Sequence, residues 1–392
     1  MKKRKTISIA ALIFAVLATS RLTFCQTTQP AQTPAFIIGV WQQPVENFAA
    51  WKSRGVNALV EIPTPASTHP PGQWVAAAEA AGLWQIRVPV GALAADDATP
   101  HLLAWNQPDE PDGAGAGGAA ATCAANYAAW KAVDPKRPVF LNFDGSRVLG
   151  IQGGLTKTSY LPYLACADYI CSDIYPVTCW GRPDWIDHPG LAVTTLANWT
   201  ANKPQFAFIE CSNQRIGPSL TATTAQIRYE AWHSVICGAT GIVWFPQQFN
   251  GFNLDGTTPA IQAEITTLDA GLAAVGPYLA GAKPLGVAAG FECITNAANG
   301  NFTLLVNATD TVANYAGVSI TPYGAYAIAN GKVIVRTPLP PSPDQLLDRI
   351  ANDEASLAAA GGGSSASITM LQAQVARLQW QMSGIGAATT LP

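Results

Sequence analysis

Charge is scarce in this chain. Lysine, arginine, aspartate and glutamate make up 12% of its 392 residues and leave a net charge of −3. No basic patch stands out, which argues against nucleic acid as a partner. After residue 25 there is no long uninterrupted apolar run, so the mature chain is not expected to span a membrane. No glycine-rich phosphate loop follows the first apolar strand, which disfavours a doubly wound nucleotide-binding sheet. Only His188 lies near Cys166, Cys171 and Cys179, whose loose spacing makes a poor metal motif. Neither a metal nor another cofactor is expected.

What is present begins with an export pattern. Lys2 to Lys5 is a basic stretch, and Ile7 to Ala18 is an apolar run of about 12 residues, together the signature of a signal peptide over residues 1–25. Leu22-Thr-Phe-Cys25 resembles a lipobox, which would place a lipid anchor on Cys25, although Phe24 stands where a small residue is usual. The mature protein is expected to be periplasmic, cell-surface or extracellular. Cys123, Cys166, Cys171, Cys179, Cys211, Cys237 and Cys293 then suffice for up to three disulfides with one thiol left over. Twelve tryptophans fit either sugar stacking or ordinary core filling, so their number decides nothing.

Residues 26–35 read as a linker. From residue 36, apolar runs alternate with helix-like stretches. Strands are predicted at Phe36–Trp41, Ala58–Ile62, Leu83–Pro89, Leu102–Asn106, Val139–Phe143, Asp168–Asp173, Phe206–Glu210 and Gly241–Phe245. The segment Gly91–Pro100 is too short for a full third helix. Eight such units by residue 278 fit a TIM (β/α)8 barrel, which takes about 250 residues, and the barrel is assigned to 36–280. Residues 284–337 read as a small antiparallel, sandwich-like β-domain. Residues 338–392 read as a proline-rich spacer and a helical C-terminal tail. In that tail Leu371, Val375, Leu378 and Met382 form a coiled-coil-like stripe that offers self-association.

Two glutamates end predicted strands. Glu110 follows strand four in Trp105-Asn-Gln-Pro-Asp-Glu-Pro111, and Glu210 closes strand seven in Phe206-Ala-Phe-Ile-Glu210. Barrel enzymes place their chemistry where strands end and βα loops begin. Two carboxylates converging there are what glycosidic bond cleavage needs. Trp41, Trp180 and Trp244 fall at or beside strand ends and are candidate sugar-binding faces. Trp105 is a candidate of equal weight for the core, and Trp185 is expected to be exposed in a loop. Asp173 is a candidate hydroxyl acceptor and Asp144 a secondary one. His101 and His233 read as structural.

These segments, in order, resemble a clan A glycoside hydrolase, a retaining barrel glycosidase. Trp105 to Pro111 is similar to its acid/base motif, Phe206 to Glu210 to its nucleophile strand, Ser172-Asp-Ile-Tyr-Pro176 to the loop whose tyrosine holds the nucleophile, and Gly238 to Trp244 to its eighth strand. The resemblance implies Glu110 as acid/base, Glu210 as nucleophile assisted by Tyr175, and an oligo- or polysaccharide substrate with β linkage. It also implies carboxyl groups about 5–5.5 Å apart. Asp109 stands where the clan often has a sugar-binding Asn, with Asn106 three residues earlier, and both are candidate substrate contacts. The alternatives are a catalytically silent carbohydrate-binding barrel and a surface assembly protein.

Overall fold

The computed structural model describes residues 33–63, 69–113, 119–153, 156–200, 203–214, 221–287 and 289–339. The signal segment, Cys25, most of the linker and the C-terminal tail with its Leu371–Met382 stripe lie outside the described residues. Eight parallel strands close into a barrel in sequence order. They are β1 (Ile37–Trp41), β2 (Ala58–Val60), β3 (Trp84–Arg87), β4 (Leu102–Asn106), β5 (Val139–Asp144), β6 (Tyr169–Asp173), β7 (Gln205–Glu210) and β8 (Ala239–Phe245). Closure joins β1 to β8, with Ile37 opposite Gly241 and Val40 opposite Trp244.

The helices are α1 (Phe48–Arg54), α2 (Pro71–Ala81), α3 (Leu93–Asp97), α4 (Ala119–Val133), α5 (Gly145–Val148), α6 (Lys157–Leu164), α7 (His188–Thr200), α8 (Thr224–Ile236) and α9 (Pro259–Leu279). Local chemistry fixes several ends. Pro71 opens α2, and Gly82 closes it at φ 62°. Thr223 and Gln226 form a reciprocal capping box on α8. Helix α3 is one short turn, as the brief segment before β4 predicted. Helices α5 and α6, between β5 and β6, were not predicted; Pro162 inside α6 masks its pattern.

The barrel is filled from inside. Phe140 and Phe206 meet edge to face at 5.4 Å, and Trp41 meets Phe208 likewise at 5.4 Å. A Cβ at position 241 would come within 2.3 Å of the Phe206 ring, so β8 needs glycine there. The outer strand faces and the surrounding helices form the main core, which includes Trp51, Trp74, Ile209 and Trp232.

The C-terminal region is one five-stranded antiparallel sheet, ordered β15-β14-β11-β10-β9, plus a hairpin of β12 and β13. Its strands are β9 (Lys283–Pro284), β10 (Phe291–Asn296), β11 (Phe302–Asn307), β12 (Ala313–Tyr315), β13 (Val318–Ile320), β14 (Ala325–Ala329) and β15 (Lys332–Arg336). Where a sandwich-like domain was expected, the hairpin packs on the five-stranded sheet through Cys293, Leu305 and Ile320. Its inner residues Ile294, Leu304, Ala327 and Val335 share one core with Trp232 of α8 and Leu272 of α9. The run Leu285–Cys293 becomes strand only at Phe291. The run Ala313–Ile320 turns at Ala316 and Gly317, and Ala325–Val335 turns at Asn330 and Gly331, all four with positive φ.

No two of the seven cysteines beyond Cys25 are joined by a disulfide, which corrects the expected bridges. The reason is where they lie. Cys123 and Cys166 sit in the core below β5 and β6, Cys211 in the main core, and Cys293 beneath the hairpin. No helix among the described residues is long and apolar enough to cross a membrane.

Candidate active site

The C-terminal ends of the strands open into a cleft of about 470 Å³. Its floor is acidic and its walls are aromatic. Asp109 and Glu110 come from the loop after β4, Asp144 from the end of β5 and Asp173 from the end of β6. Trp41, Tyr175, Trp180, Phe245 and Phe249 line the sides. Tyr175 and Phe245 lie 4.6 Å apart, and Phe249 continues the row outward with 56% of its surface exposed.

Backbone strain gathers at this mouth. Gln42 after β1, Glu61 after β2 and Glu110 after β4 have φ of 42°, 64° and 42°. None is glycine, and each such conformation costs on the order of 1–3 kcal/mol. Among the described residues, the remaining non-glycine positions of positive φ lie between Asn301 and Asn330, in the C-terminal sheet region. The loop that turns Glu110 into the cleft is held from below. Tyr160 of α6 donates to Asp112 Oδ2 at 2.8 Å, the Asp144 N–H donates to its Oδ1 at 3.2 Å, and Tyr163 donates to the Pro111 carbonyl at 3.2 Å.

Glu110 and Asp173 lie within hydrogen-bonding reach of each other. Desolvation in the cleft pushes Glu110 up to about 7, with the charges of Asp109, Asp144 and Asp112 adding to it; the bond from Asp173 works the other way. Burial and the Glu110 charge hold Asp173 well above the usual carboxylate range. Both members of the pair are thus raised, with Asp173 donating to Glu110. Asp109 accepts from Asn142 Nδ2 at 3.0 Å, and burial raises it too. Asp144 is ion-paired with Arg147 at 3.2 Å and accepts from Ser146 N–H at 2.9 Å.

Glu210 does not line this cleft. It ends β7 as predicted, but its side chain is fully buried. Val177 N–H donates to Oε1 at 2.8 Å, Thr178 N–H donates to Oε2 at 2.7 Å, and the Thr178 hydroxyl also donates to Oε2. Glu230 of α8 lies against it in hydrogen-bonding reach, and burial holds Glu230 well above the usual range. The expected face-to-face pair of Glu110 and Glu210 is therefore corrected. Glu210 fastens the loop after β6, which carries Tyr175 and Trp180 into the cleft wall. Tyr175 keeps company with Asp173 rather than Glu210.

Of the predicted site residues, the structure brings together Trp41, Asp109, Glu110, Asp173, Tyr175 and Trp180, with Asp144 as well. It excludes two more besides Glu210. Asn106 is buried and donates to Glu61 instead of a sugar. Trp244 points away from the cleft and donates to Asp269 Oδ1 at 2.9 Å. In a strand, one residue's slip exchanges inside for outside, and strand-end position alone cannot tell them apart. Trp105 is core, stacked on Trp130 at 6.0 Å. Trp185 is half-buried rather than exposed, stacked on His188 at 4.7 Å, with the Arg182 guanidinium 4.0 Å from its ring centre. His101 is bound to Glu79 at 2.8 Å.

Several lining residues had no sequence signal. Gln214 Nε2 is buried without a hydrogen-bond partner among the described residues, which leaves a donor for a substrate hydroxyl. Gln247 donates to Gln42 Oε1 at 3.0 Å across the mouth. Phe245 was visible only as the end of a strand, and Phe249 only as a loop aromatic. Among the described residues no group of three or more His, Cys, Asp or Glu is arranged to hold a metal ion.

No family model and no curated protein matches the chain. Among solved structures it is similar to the ligand-free cyclic α-maltosyl-(1→6)-maltose hydrolase of Arthrobacter globiformis, at 10% identity and a TM-score of 0.47, over 77% of this chain and 100% of that one. It is similar to the endo-β-1,4-mannanase of Thermotoga petrophila at 12% and 0.46, over 76% and 91%. It is also similar to the GH2 β-galacturonidase of Eisenbergiella tayi at 13% and 0.42, over 60% and 51%, so it spans about half of that enzyme's chain. Likenesses of this size carry no argument about activity.

Proposed function

We propose that the protein is a glycoside hydrolase acting on an oligo- or polysaccharide bound along the aromatic cleft. The observation that carries this reading is Glu110: a glutamate on a strained strand-end turn, raised to about 7, inside a walled cleft. Such a group can hold a proton near neutrality and deliver it to a leaving glycosidic oxygen. Asp173 positions that carboxyl by sharing a hydrogen bond with it. Asp144, with Arg147 beside it, is the second cleft carboxylate. It stabilises the positive charge that develops at the anomeric carbon, as base or nucleophile. Glu210 has no part in bond cleavage. Trp180, Tyr175, Phe245 and Phe249 supply faces for sugar C–H surfaces.

A carbohydrate-binding barrel without turnover is the second reading, favoured by the sealing of Glu210. A glycan panel separates the two. Hydrolysis lost in both Glu110→Gln and Asp144→Asn supports the enzyme, and binding without hydrolysis by the unaltered protein supports the second reading. Proton NMR of the first-formed anomer then tells retention from inversion. The reading includes export through the basic and apolar N-terminal segment, with or without a lipid on Cys25. The N-terminal mass of the mature protein from the native host tests it, and an intact Met1–Cys25 segment would refute it.

A further inference from the structure

At the end of the barrel opposite the cleft, three side chains from two elements stand in a line. Cys237 directly follows α8, and its Sγ lies 3.5 Å from Nε2 of His233, one turn earlier. Nδ1 of His233 lies 2.9 Å from Oε2 of Glu292 on β10. Tyr229, another turn back, donates to Oε1 of Glu292 at 3.0 Å, and its ring stacks on the imidazole at 5.2 Å. Both oxygens of Glu292 are thereby engaged, and the ring of His233 is held in one orientation. Positions 229, 233 and 237 share a helix face because they are four apart.

Two further observations single out this line. A Cβ at Gly190 of α7 would stand 2.3 Å from Cδ2 of His233 and 3.1 Å from Sγ of Cys237, so α7 leaves room for the pair only with glycine there. Of the three residues, Cys237 alone lines a cavity of about 620 Å³, bounded by the starts of β7 and β8 and by the segment after α9. Burial opposes charge on His233, but its bonds to Cys237 and Glu292 outweigh this and push it up to about 10. The C-terminal end of α8 favours a cation there as well. A sulfur facing an imidazole that a carboxylate orients is the arrangement of an activated cysteine.

The geometry points to Cys237 as a reactive thiol, a modification site that takes small-molecule disulfides by thiol–disulfide exchange. The Cys237 sulfur attacks one sulfur of R–S–S–R. The R–S–S–R bond breaks as the Cys237–S–S–R bond forms. The thiol's proton passes by way of His233 to the departing RS group, which leaves as RSH. The oxidising equivalent is that of the disulfide itself, and no other reactant is needed. The site is independent of the carbohydrate reading.

The test uses the folded full-length protein, unmodified and reduced, incubated with glutathione disulfide and followed residue by residue by peptide mass spectrometry. Cys179, half-buried in the cleft, serves as internal reference. Cys237 is expected to form the mixed disulfide about tenfold faster than Cys179. His233→Gln should remove that advantage while the Cys179 rate stays unchanged, which shows that the fold is intact. Glu292→Gln, the milder change should His233→Gln fail to fold, should slow Cys237 in the same direction. A Cys237 rate no faster than that of Cys179, or one indifferent to both substitutions, overturns the proposal.

Discussion

Glu110 and Glu210 stand at the same end of one barrel, on β4 and β7, in opposite surroundings. Glu110 faces the cleft and leans on a single carboxyl partner, and desolvation, with the like charges around it adding, pushes it up to about 7. Glu210 is sealed, and its two oxygens accept from Val177 and Thr178. A carboxylate whose acceptors are filled by backbone donors is holding structure; one left with solvent on one side and acids on the other is poised to exchange a proton. The difference lies in what each glutamate meets across the barrel mouth.

The largest expected effect is on Glu110. Glu110→Gln should lower turnover about 10²- to 10⁴-fold, the contribution of a positioned acid or base. Its melting temperature should hold or rise, because the change relieves repulsion from Asp109, Asp144 and Asp112. Activity and thermal unfolding measured on the same preparation test this. Unchanged turnover would remove Glu110 from the chemistry.

Glu210→Ala should act on stability first. It leaves the N–H groups of Val177 and Thr178 and the Glu230 carboxyl without their partner, at a cost of about 3 kcal/mol. Urea unfolding measures it. Because the loop it fastens carries Tyr175 and Trp180, KM should rise more than kcat falls, the pattern of lost uniform binding. An intact fold with kcat abolished and then restored by azide would return Glu210 to the role of nucleophile and collapse the comparison.

Much of this was legible beforehand. The alternation of apolar runs with helix-like stretches gave the eight strands to within a few residues, since strands buried on both faces carry continuous apolar sequence. Glu110, Asp109, Asp173, Tyr175 and Trp180 were reachable because they lie at strand ends or in the loops that follow them, where a barrel has its mouth. Glu210, Asn106 and Trp244 were misplaced for a shared reason. Each is aimed by a partner distant in sequence: Thr178 for Glu210, Glu61 for Asn106, Asp269 for Trp244. Gln214 and Phe249 have no local pattern at all.

The pH profile sharpens the contrast next. A general acid works while protonated, so activity should fall about tenfold per pH unit above the raised value near 7. The stability sign is separate. The folded pKa of Glu110 lies above its unfolded one, so the folded state binds the proton more tightly. Its stabilisation is complete at pH values below the unfolded value of 4.5 and is lost as pH rises through about 7. The melting temperatures of the native protein and Glu110→Gln should therefore diverge between these limits, with the native protein losing ground. A gap that widened toward acid would contradict the raised value.

The smallest expected effect separates aromatic residues of the two environments. Phe249 is 56% exposed at the cleft rim, while Trp244 is fully buried and bonded to Asp269. Phe249→Ala removes one face from the cleft wall and no core packing. It should raise KM roughly fivefold, equivalent to about 1 kcal/mol of lost stacking, and leave unfolding unchanged. Trp244→Phe should do the reverse. It deprives a buried carboxyl of its donor, so stability falls by about 1–3 kcal/mol with KM unaltered. Steady-state kinetics on the best glycan substrate, paired with urea unfolding, reads both. A KM effect at Trp244 with none at Phe249 would mean that the sugar enters by another face of the barrel, and the cleft assignment would fall with it.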